Sequence, residues 1–423
     1  MDVLLVGSGG REHAIAWKFS KSNRIAGLYI APGNAGTAEI GINIDLDPMD
    51  FDAVKQACQQ HRINYIFVGP EAILAAGIVD FFQASSINII GAHKAAAQLE
   101  SSKTFSKEFM LKYNLPTAAA REFKDKKLFE QYINNSTGKL VIKKNGLAAG
   151  KGVLESDSKR ELLEFGRPIL ETDSLLVEEF LEGYEISIFG LSDGKNFITL
   201  PPCSDFKKAG ENDTGLNTGG MGSICPVPWV DKQLLEQINQ TIIQPTYTGI
   251  SQENLNYKGV LYFGLMITNQ GPKILEYNVR FGDPETQALL PVLKVDFGNL
   301  IEAMAEGTLD SLGKITNTQS GVCVVIASAG YPGPYKKGIP VAPIKKYNEN
   351  DINLFHASTT LDSTDNILTG GGRCFSIVGK GRDTLAAATA AYESIDIIQF
   401  EGAWYRPDIG KKFFIDKIEE LEE

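Results

Sequence analysis

The segment Ile274-Leu275-Glu276-Tyr277-Asn278-Val279-Arg280-Phe281-Gly282-Asp283-Pro284-Glu285-Thr286-Gln287 begins as a strand and ends in a polar turn broken by proline. Successive side chains of a strand point to opposite faces, so Glu276, Asn278 and Arg280 fall on the same one. Two hard oxygen donors beside a cation suit a divalent ion such as Mg²⁺ and the phosphates that it bridges. The competing reading is an exposed sheet face with an incidental ion pair, worth at most about 1 kcal/mol.

Ahead of this segment, Ser204-Asp205-Phe206-Lys207-Lys208 leads into the loop GLNTGGMG, residues 215–222. A polar, glycine-dense loop of that length is uncommon without a function. Earlier still, Val177-Glu178-Glu179-Phe180-Leu181-Glu182-Gly183-Tyr184-Glu185 is an apolar strand that breaks at glycine. Its main chain can meet an adenine edge and its last carboxylate a ribose, although acidic residues at strand ends are more often simply solvated. The loop GLAAGKG, residues 146–152, directly follows Val141-Ile142-Lys143-Lys144. Gly152 stands where a P-loop needs Ser or Thr, and the next segment is strand-like, so a P-loop NTPase is disfavoured. A glycine loop between two strands, with lysines at each end, can instead close over nucleotide phosphates as a lid; the plain alternative is a hairpin turn.

Near the N-terminus, GSGGREHA (residues 7–14) lies between a strand and a helix, where glycines let backbone N–H groups approach an anion. Glu12 takes the place of the third glycine of a dinucleotide fingerprint, and no carboxylate follows the second strand before Glu39, so a dehydrogenase fits poorly. Gly69-Pro70-Glu71 ends the third expected strand, where open α/β sheets place ligands, although a lone Glu there also serves as a helix N-terminal charge.

The 423 residues suffice for about three domains. A net charge of −11 disfavours nucleic acid as the main partner. No apolar run approaches the ~18 residues of a membrane span and the N-terminus lacks a leader pattern, so a cytoplasmic protein is expected. Five widely spaced cysteines without CxxC fit reduced core thiols. Apolar runs alternate with helical patterns up to residue 100, which implies a parallel sheet. A boundary follows near Leu115-Pro116, then a small α+β unit, hairpins at Ser192-Asp193-Gly194-Lys195 and Asn269-Gln270-Gly271-Pro272, a helix near 232–248, and a final α+β region.

In order and at compatible spacing, GSGGREHA, APGNAG, VGPE, GLAAGKG, NTGGMG and RFGDPETQ resemble the ATP-grasp ligases, and within them the glycinamide ribonucleotide synthetases (phosphoribosylamine–glycine ligases), over essentially the whole chain. That resemblance implies a multidomain α/β and α+β architecture. An N-terminal parallel α/β domain (1–101) would precede an ATP-grasp domain (102–315, lid about 118–188) and a C-terminal α+β capping domain (316–423), in a monofunctional enzyme able to act as a monomer. It implies ligation of glycine to 5-phosphoribosylamine through glycyl phosphate, with ATP as co-substrate and Mg²⁺ or Mn²⁺ as cofactor. Residue by residue, it gives Glu276 and Asn278 to the metal. Lys143, Gly146, Gly150, Lys151, Gly152, Glu178, Glu179, Phe180, Leu181 and Glu185 go to ATP, with Glu178 to Leu181 as the adenine edge and Glu185 on the ribose. Gly9, Gly10, Arg11 and Glu71 go to phosphoribosylamine, and Arg280, Asp283, Lys207 and Asp205 to catalysis, Arg280 meeting an anionic substrate group. The sequence departs from the family pattern at Phe206 and Lys208, where His and Arg are common, at Leu216 for proline, and at Lys144-Asn145 before the glycine loop. The strand Leu261–Met266 lacks the further metal-binding carboxylate of many ATP-grasp enzymes. Alternatives are an ATP-grasp ligase for another amine, or a silent nucleotide-binding regulator, which would not need Lys143, Glu276 and Asn278 together.

Overall fold

A computed structural model describes residues 1–147 and 152–414. Its N-terminal unit is a five-stranded parallel sheet in which Asp2–Gly7 is central, flanked by Gly27–Pro32 and Tyr65–Val68, with Ile42–Asn43 and Asn88–Ile90 at the edges. Val3 to Val6 are fully buried, as expected of a parallel strand covered on both faces.

Glu12 explains how this sheet dispenses with a third glycine. Its carboxylate accepts the Gly9 N–H at 2.8 Å, closing the N-terminus of the helix Gly10–Ser20. Its side chain fills the space above the sheet, so a Cβ on Gly69 would lie 2.2 Å from Glu12 Oε1 and one on Gly7 2.5 Å from Glu12 Cγ. The glycines at the ends of these two strands make room for a protein carboxylate.

The middle of the chain contains two four-stranded antiparallel sheets. Ala120–Phe123, Leu175–Glu179, Leu140–Lys144 and Val153–Ser156 form the smaller, in that spatial order. Phe197–Thr199, Tyr184–Asp193, Lys258–Thr268 and Gly271–Asn278 form the other. The strand that starts at Tyr184 thus belongs to the second sheet, so the small sheet ends short of the expected lid limit at 188. Both expected hairpins are present, with Ser192 opposite Phe197 and Thr268 opposite Gly271. The helix expected near 232–248 is a helix–π-bulge–helix run from Lys232 to Gln252.

The last sheet crosses the boundary expected at 316. Ser320–Ala327, Arg373–Gly381 and Ile352–His356 are joined at one edge by Gly222–Cys225 and Ser204–Asp205 from the preceding region. Sequence periodicity cannot reveal which distant strand completes a sheet. All five cysteines are buried and free. Among the described residues no helix is long and apolar enough to cross a membrane.

The N-terminal unit is pinned to the last sheet by buried polar groups. Asn34 Nδ2 donates to the carbonyls of Ser8 and His356, and His13 Nδ1 accepts the His356 N–H at 2.8 Å. Burial and then the neighbouring His356 push the His13 pKa down to about 3, and burial pushes His356 down to about 4. Both rings are therefore neutral in the folded protein, whereas an unfolded histidine takes a proton below about pH 6.5. Stability should fall on acidification by about 1.4 kcal/mol per pH unit for each ring until the folded value is reached. Urea titrations between pH 6.5 and 4 should show a shallower pH slope for His356→Gln than for the parent.

Candidate active site

The strand Gly271–Asn278 carries the centre of the site. A bulge between Gly264 and Leu265 of its partner leaves Leu275 outside the register, and the Leu275 carbonyl accepts from Lys143 Nζ at 3.0 Å. Glu276 is exposed and Asn278 buried, their Oε1 and Nδ2 atoms 3.5 Å apart, on the shared face that strand alternation requires. Among the described residues Glu276 forms no ion pair, although Lys103, Lys143 and Lys207 all feel its charge.

Lys143 is buried and paired with Glu178 Oε2 at 2.8 Å, while Glu178 Oε1 meets Lys107 Nζ at 2.9 Å. Burial alone would raise the Glu178 pKa, but the two ammonium groups hold it below the ordinary carboxylate range. Burial likewise opposes the charge on Lys143, and Glu178 more than restores it. Glu178, expected with Glu179, Phe180 and Leu181 at the adenine edge, has its side chain held by two lysines, and its strand lies between two neighbours. The strand ends at Glu179, so Phe180 and Leu181 lie beyond the pairing, and among the described residues no backbone hydrogen bond involves them. Those two residues keep the free main chain that a base edge requires. Glu179 is exposed, its carboxylate accepting the Ala119 N–H and facing Lys273.

Gly146 begins the glycine loop with φ of 79°, and its carbonyl accepts from Lys103 Nζ at 2.9 Å. Gly152, on the other side, passes its carbonyl to the Lys144 N–H. Gly150 and Lys151 lie outside the described residues. Lys103 and Lys107 were not singled out from sequence, although the Lys- and Phe-bearing helical stretch after residue 100 was the signal for them. Beside this root opens a cleft of about 600 Å³ lined by Thr104, Glu122, Asn145 and Asp173, and neither Glu276 nor Asn278 lines it.

Lys207 bridges the carboxylates of Glu185 and, at 3.0 Å, Asp205. Burial would lower its pKa, but Asp205 and Glu185 hold it well above the ordinary lysine value. Glu185 therefore faces a lysine in this structure, not an open ribose pocket. The departure Phe206 is buried, with the cationic ends of Arg406 and Lys412 over its ring.

Arg280 is more heavily engaged than expected. Its Nε donates to Glu71 Oε2 at 3.2 Å, its Nη2 donates to Asn278 Oδ1 at 3.0 Å and forms an ion pair with Glu100 Oε1 at 2.9 Å, and its Nη1 donates to the Phe281 carbonyl. Two protein carboxylates, Glu71 and Glu100, thus stand at the guanidinium expected to meet an anionic substrate group, and Glu71 is itself expected on phosphoribosylamine. Glu100 escaped the sequence reading because nothing local links residue 100 to residue 280.

Asp283 accepts from Gln287 Nε2 at 2.9 Å and faces Arg373 Nη1 at 3.3 Å. Arg373 also donates to the carbonyls of Gly219 and Gly220, tying the NTGGMG loop to the last sheet. A Cβ on Gly10 would lie 2.7 Å from Gln287 Nε2, so this glycine allows the helix N-terminus to close on the RFGDPETQ turn. Arg11 is buried between Glu12 and the Phe281 carbonyl.

The donor set fits a divalent ion. Asn278 Oδ1 keeps a second lone pair, Glu276 has no ion-pair partner among the described residues, and the residue opposite Glu276 is Gly264, which brings no ligand and leaves room. Among the described residues no group of three or more His, Cys, Asp or Glu forms a complete cage. One carboxylate and one amide, completed by phosphate and water, is the usual pattern for Mg²⁺.

Comparison with known proteins then decides the family. Residues 1–100 match the phosphoribosylglycinamide synthetase N domain, 101–286 its ATP-grasp (A) domain and 321–412 its C domain. The chain belongs to the phosphoribosylglycinamide synthetase family. It is 43% identical over 416 residues to the phosphoribosylamine–glycine ligase of Caldanaerobacter subterraneus, covering 97% of this chain and 99% of that one. The crystal structure of phosphoribosylamine–glycine ligase from Thermotoga maritima superposes with a TM-score of 0.85 at 33% identity, covering 97% and 100%. A biotin carboxylase domain from Hydrogenobacter thermophilus, 15% identical, shares the fold with a TM-score of 0.71 over 96% of this chain and 91% of that one. The chain is a ligase of the ATP-grasp family, whose members use ATP and divalent metal ions.

The Glu178 clamp gives a direct prediction. Removing one partner of a buried ion pair costs about 3–5 kcal/mol. Glu178→Gln should lose about that much in guanidinium denaturation, whereas a solvated strand-end carboxylate would change stability by less than about 0.5 kcal/mol.

Proposed function

We propose that this chain joins glycine to 5-phosphoribosylamine, using ATP, to give glycinamide ribonucleotide, ADP and phosphate. The observation that carries the reading is the exposed Glu276, without an ion-pair partner among the described residues, beside Asn278 and within the field of Lys103, Lys143 and Lys207 on the strand leading into RFGDPETQ. Three family domains in order along the chain support it.

A carboxylate is unreactive towards an amine at neutral pH until its oxygen is made a leaving group. A glycine carboxylate oxygen attacks the γ-phosphorus, the bond to the bridging oxygen breaks, and ADP departs. The amine of phosphoribosylamine then attacks the carbonyl carbon of glycyl phosphate, phosphate leaves with the bonding pair, and the nitrogen gives up a proton. Positioning and charge neutralisation are the protein's part in such transfers. Glu276 and Asn278 would hold Mg²⁺ or Mn²⁺, which when bound neutralises charge on the β- and γ-oxygens. Lys143 meets the phosphates under the loop of residues 146–152. The main chain at Phe180 and Leu181 receives adenine, and Glu185 reaches the ribose after parting from Lys207. Gly9, Gly10 and Arg11 hold phosphoribosylamine, with Asp205, Lys207 and Asp283 around the reacting groups. The reaction belongs to de novo purine synthesis and takes place in the cytoplasm.

With glycine, ATP, Mg²⁺ and phosphoribosylamine made in situ, ADP and glycinamide ribonucleotide should form in equal amounts. Glycine labelled with ¹⁸O in its carboxylate should pass one labelled oxygen to phosphate; unlabelled phosphate would exclude glycyl phosphate.

Glu276→Gln removes the charge but keeps the volume. Turnover should fall by about two orders of magnitude or more, since metal neutralisation of a developing phosphate charge is worth several kcal/mol. Thermal stability should change little, because the parent carboxylate is exposed and unpaired among the described residues. A kcat and Mg²⁺ dependence like the parent's would overturn the assignment.

A further inference from the structure

The helix Lys94–Ser101 buries Ala96, Ala97 and Leu99 and carries Glu100 on its last turn. The Glu100 side chain is only 7% exposed, against 29% for Glu71, the other carboxylate on Arg280. Its Oε2 accepts the Val279 N–H at 2.7 Å while Oε1 forms an ion pair with Arg280 Nη2 at 2.9 Å. One carboxylate thus grips both the backbone just past the metal strand and the guanidinium that follows it. The same Nη2 holds Asn278 Oδ1 at 3.0 Å, and Asn278 Nδ2 faces Glu276.

An amide's oxygen and nitrogen are nearly isosteric, so Asn278 presents its oxygen to a cation only if its neighbours distinguish the two ends. Arg280 makes that distinction, because a guanidinium has donors and no acceptor. Arg280 in turn requires a fixed acceptor, and Glu100 is the one set by a packed helix. Glu71 begins a six-residue helix, is more exposed and touches only Nε.

We propose that Glu100 is a positioning residue of the active site, fixing through Arg280 the orientation of the Asn278 amide and so the affinity of the metal face. This rests on the reading of Glu276 and Asn278 as metal ligands. Glu100 touches neither reacting atoms nor metal; it acts through two intervening side chains.

The test is calorimetric binding of ADP to the full chain, with excess MgCl₂ and separately with EDTA. The ratio of the two affinities measures the metal face independently of turnover. Glu100→Gln keeps volume but sets an NH₂ or a weaker neutral acceptor against Arg280. It should reduce that ratio about tenfold or more while ADP affinity in EDTA stays within twofold, and lower kcat with the KM for glycine within twofold. In Glu100→Gln/Asn278→Ala the ratio should match that of Asn278→Ala alone within twofold, because Glu100 works through that amide. A ratio unchanged in Glu100→Gln, or losses that multiply in the double variant, overturns the proposal. Should Glu100→Gln fail to fold, Glu100→Asp keeps the charge but is too short to reach both donors, and should reduce the ratio about threefold or more; an unchanged ratio there is equally fatal. A parent chain that shows the Mg²⁺ enhancement but makes no glycinamide ribonucleotide overturns the proposed reaction and leaves the role of Glu100 standing.

Discussion

Charges removed from water must be paired, and this constraint organises the centre of the molecule. Lys143, Lys107, Lys207 and Arg280 converge on one region, and like charges gathered in a poorly solvated space repel. Each is held by carboxylates: Glu178 between two lysines, Glu185 and Asp205 about Lys207, Glu71 and Glu100 about Arg280. Glu276 stands apart as the carboxylate without such a partner among the described residues, which is what a cation site requires.

These pairs also join the parts of the fold. Glu178 lies on the small sheet, Lys107 on the helix Lys103–Lys112, and Lys143 reaches the carbonyl of Leu275 on the strand Gly271–Asn278. Arg280 fastens that strand's end to the N-terminal unit through Glu71 and Glu100, while Arg373 ties the NTGGMG loop and Asp283 to the last sheet. The site is built where separately folded sheets meet, so its geometry depends on their packing more than on any one loop.

The legible part of the site was local. Alternation along Glu276, Asn278 and Arg280 required a shared face, and the structure keeps them in mutual contact. What the sequence could not show shares one cause. Glu178 reads as a solvated or base-facing acid until Lys107 and Lys143 are brought to it from 71 and 35 positions away. Arg280 likewise reads as available to substrate until Glu100 arrives from a helix 180 positions earlier. Partner identity for a charged side chain is a long-range property that carries no periodic signal.

The sequence by itself determined the parallel N-terminal sheet, the hairpins, the family and the shared face of Glu276 and Asn278. Each follows from motif order or from side-chain period, which act over a few residues. Only the tertiary structure decided that Glu12 occupies the space cleared by Gly7 and Gly69, that strands from residues 204–225 complete the last sheet, and which carboxylate neutralises which cation. Those outcomes turn on packing distances and desolvation between segments far apart in the chain, which exist only once the chain has folded.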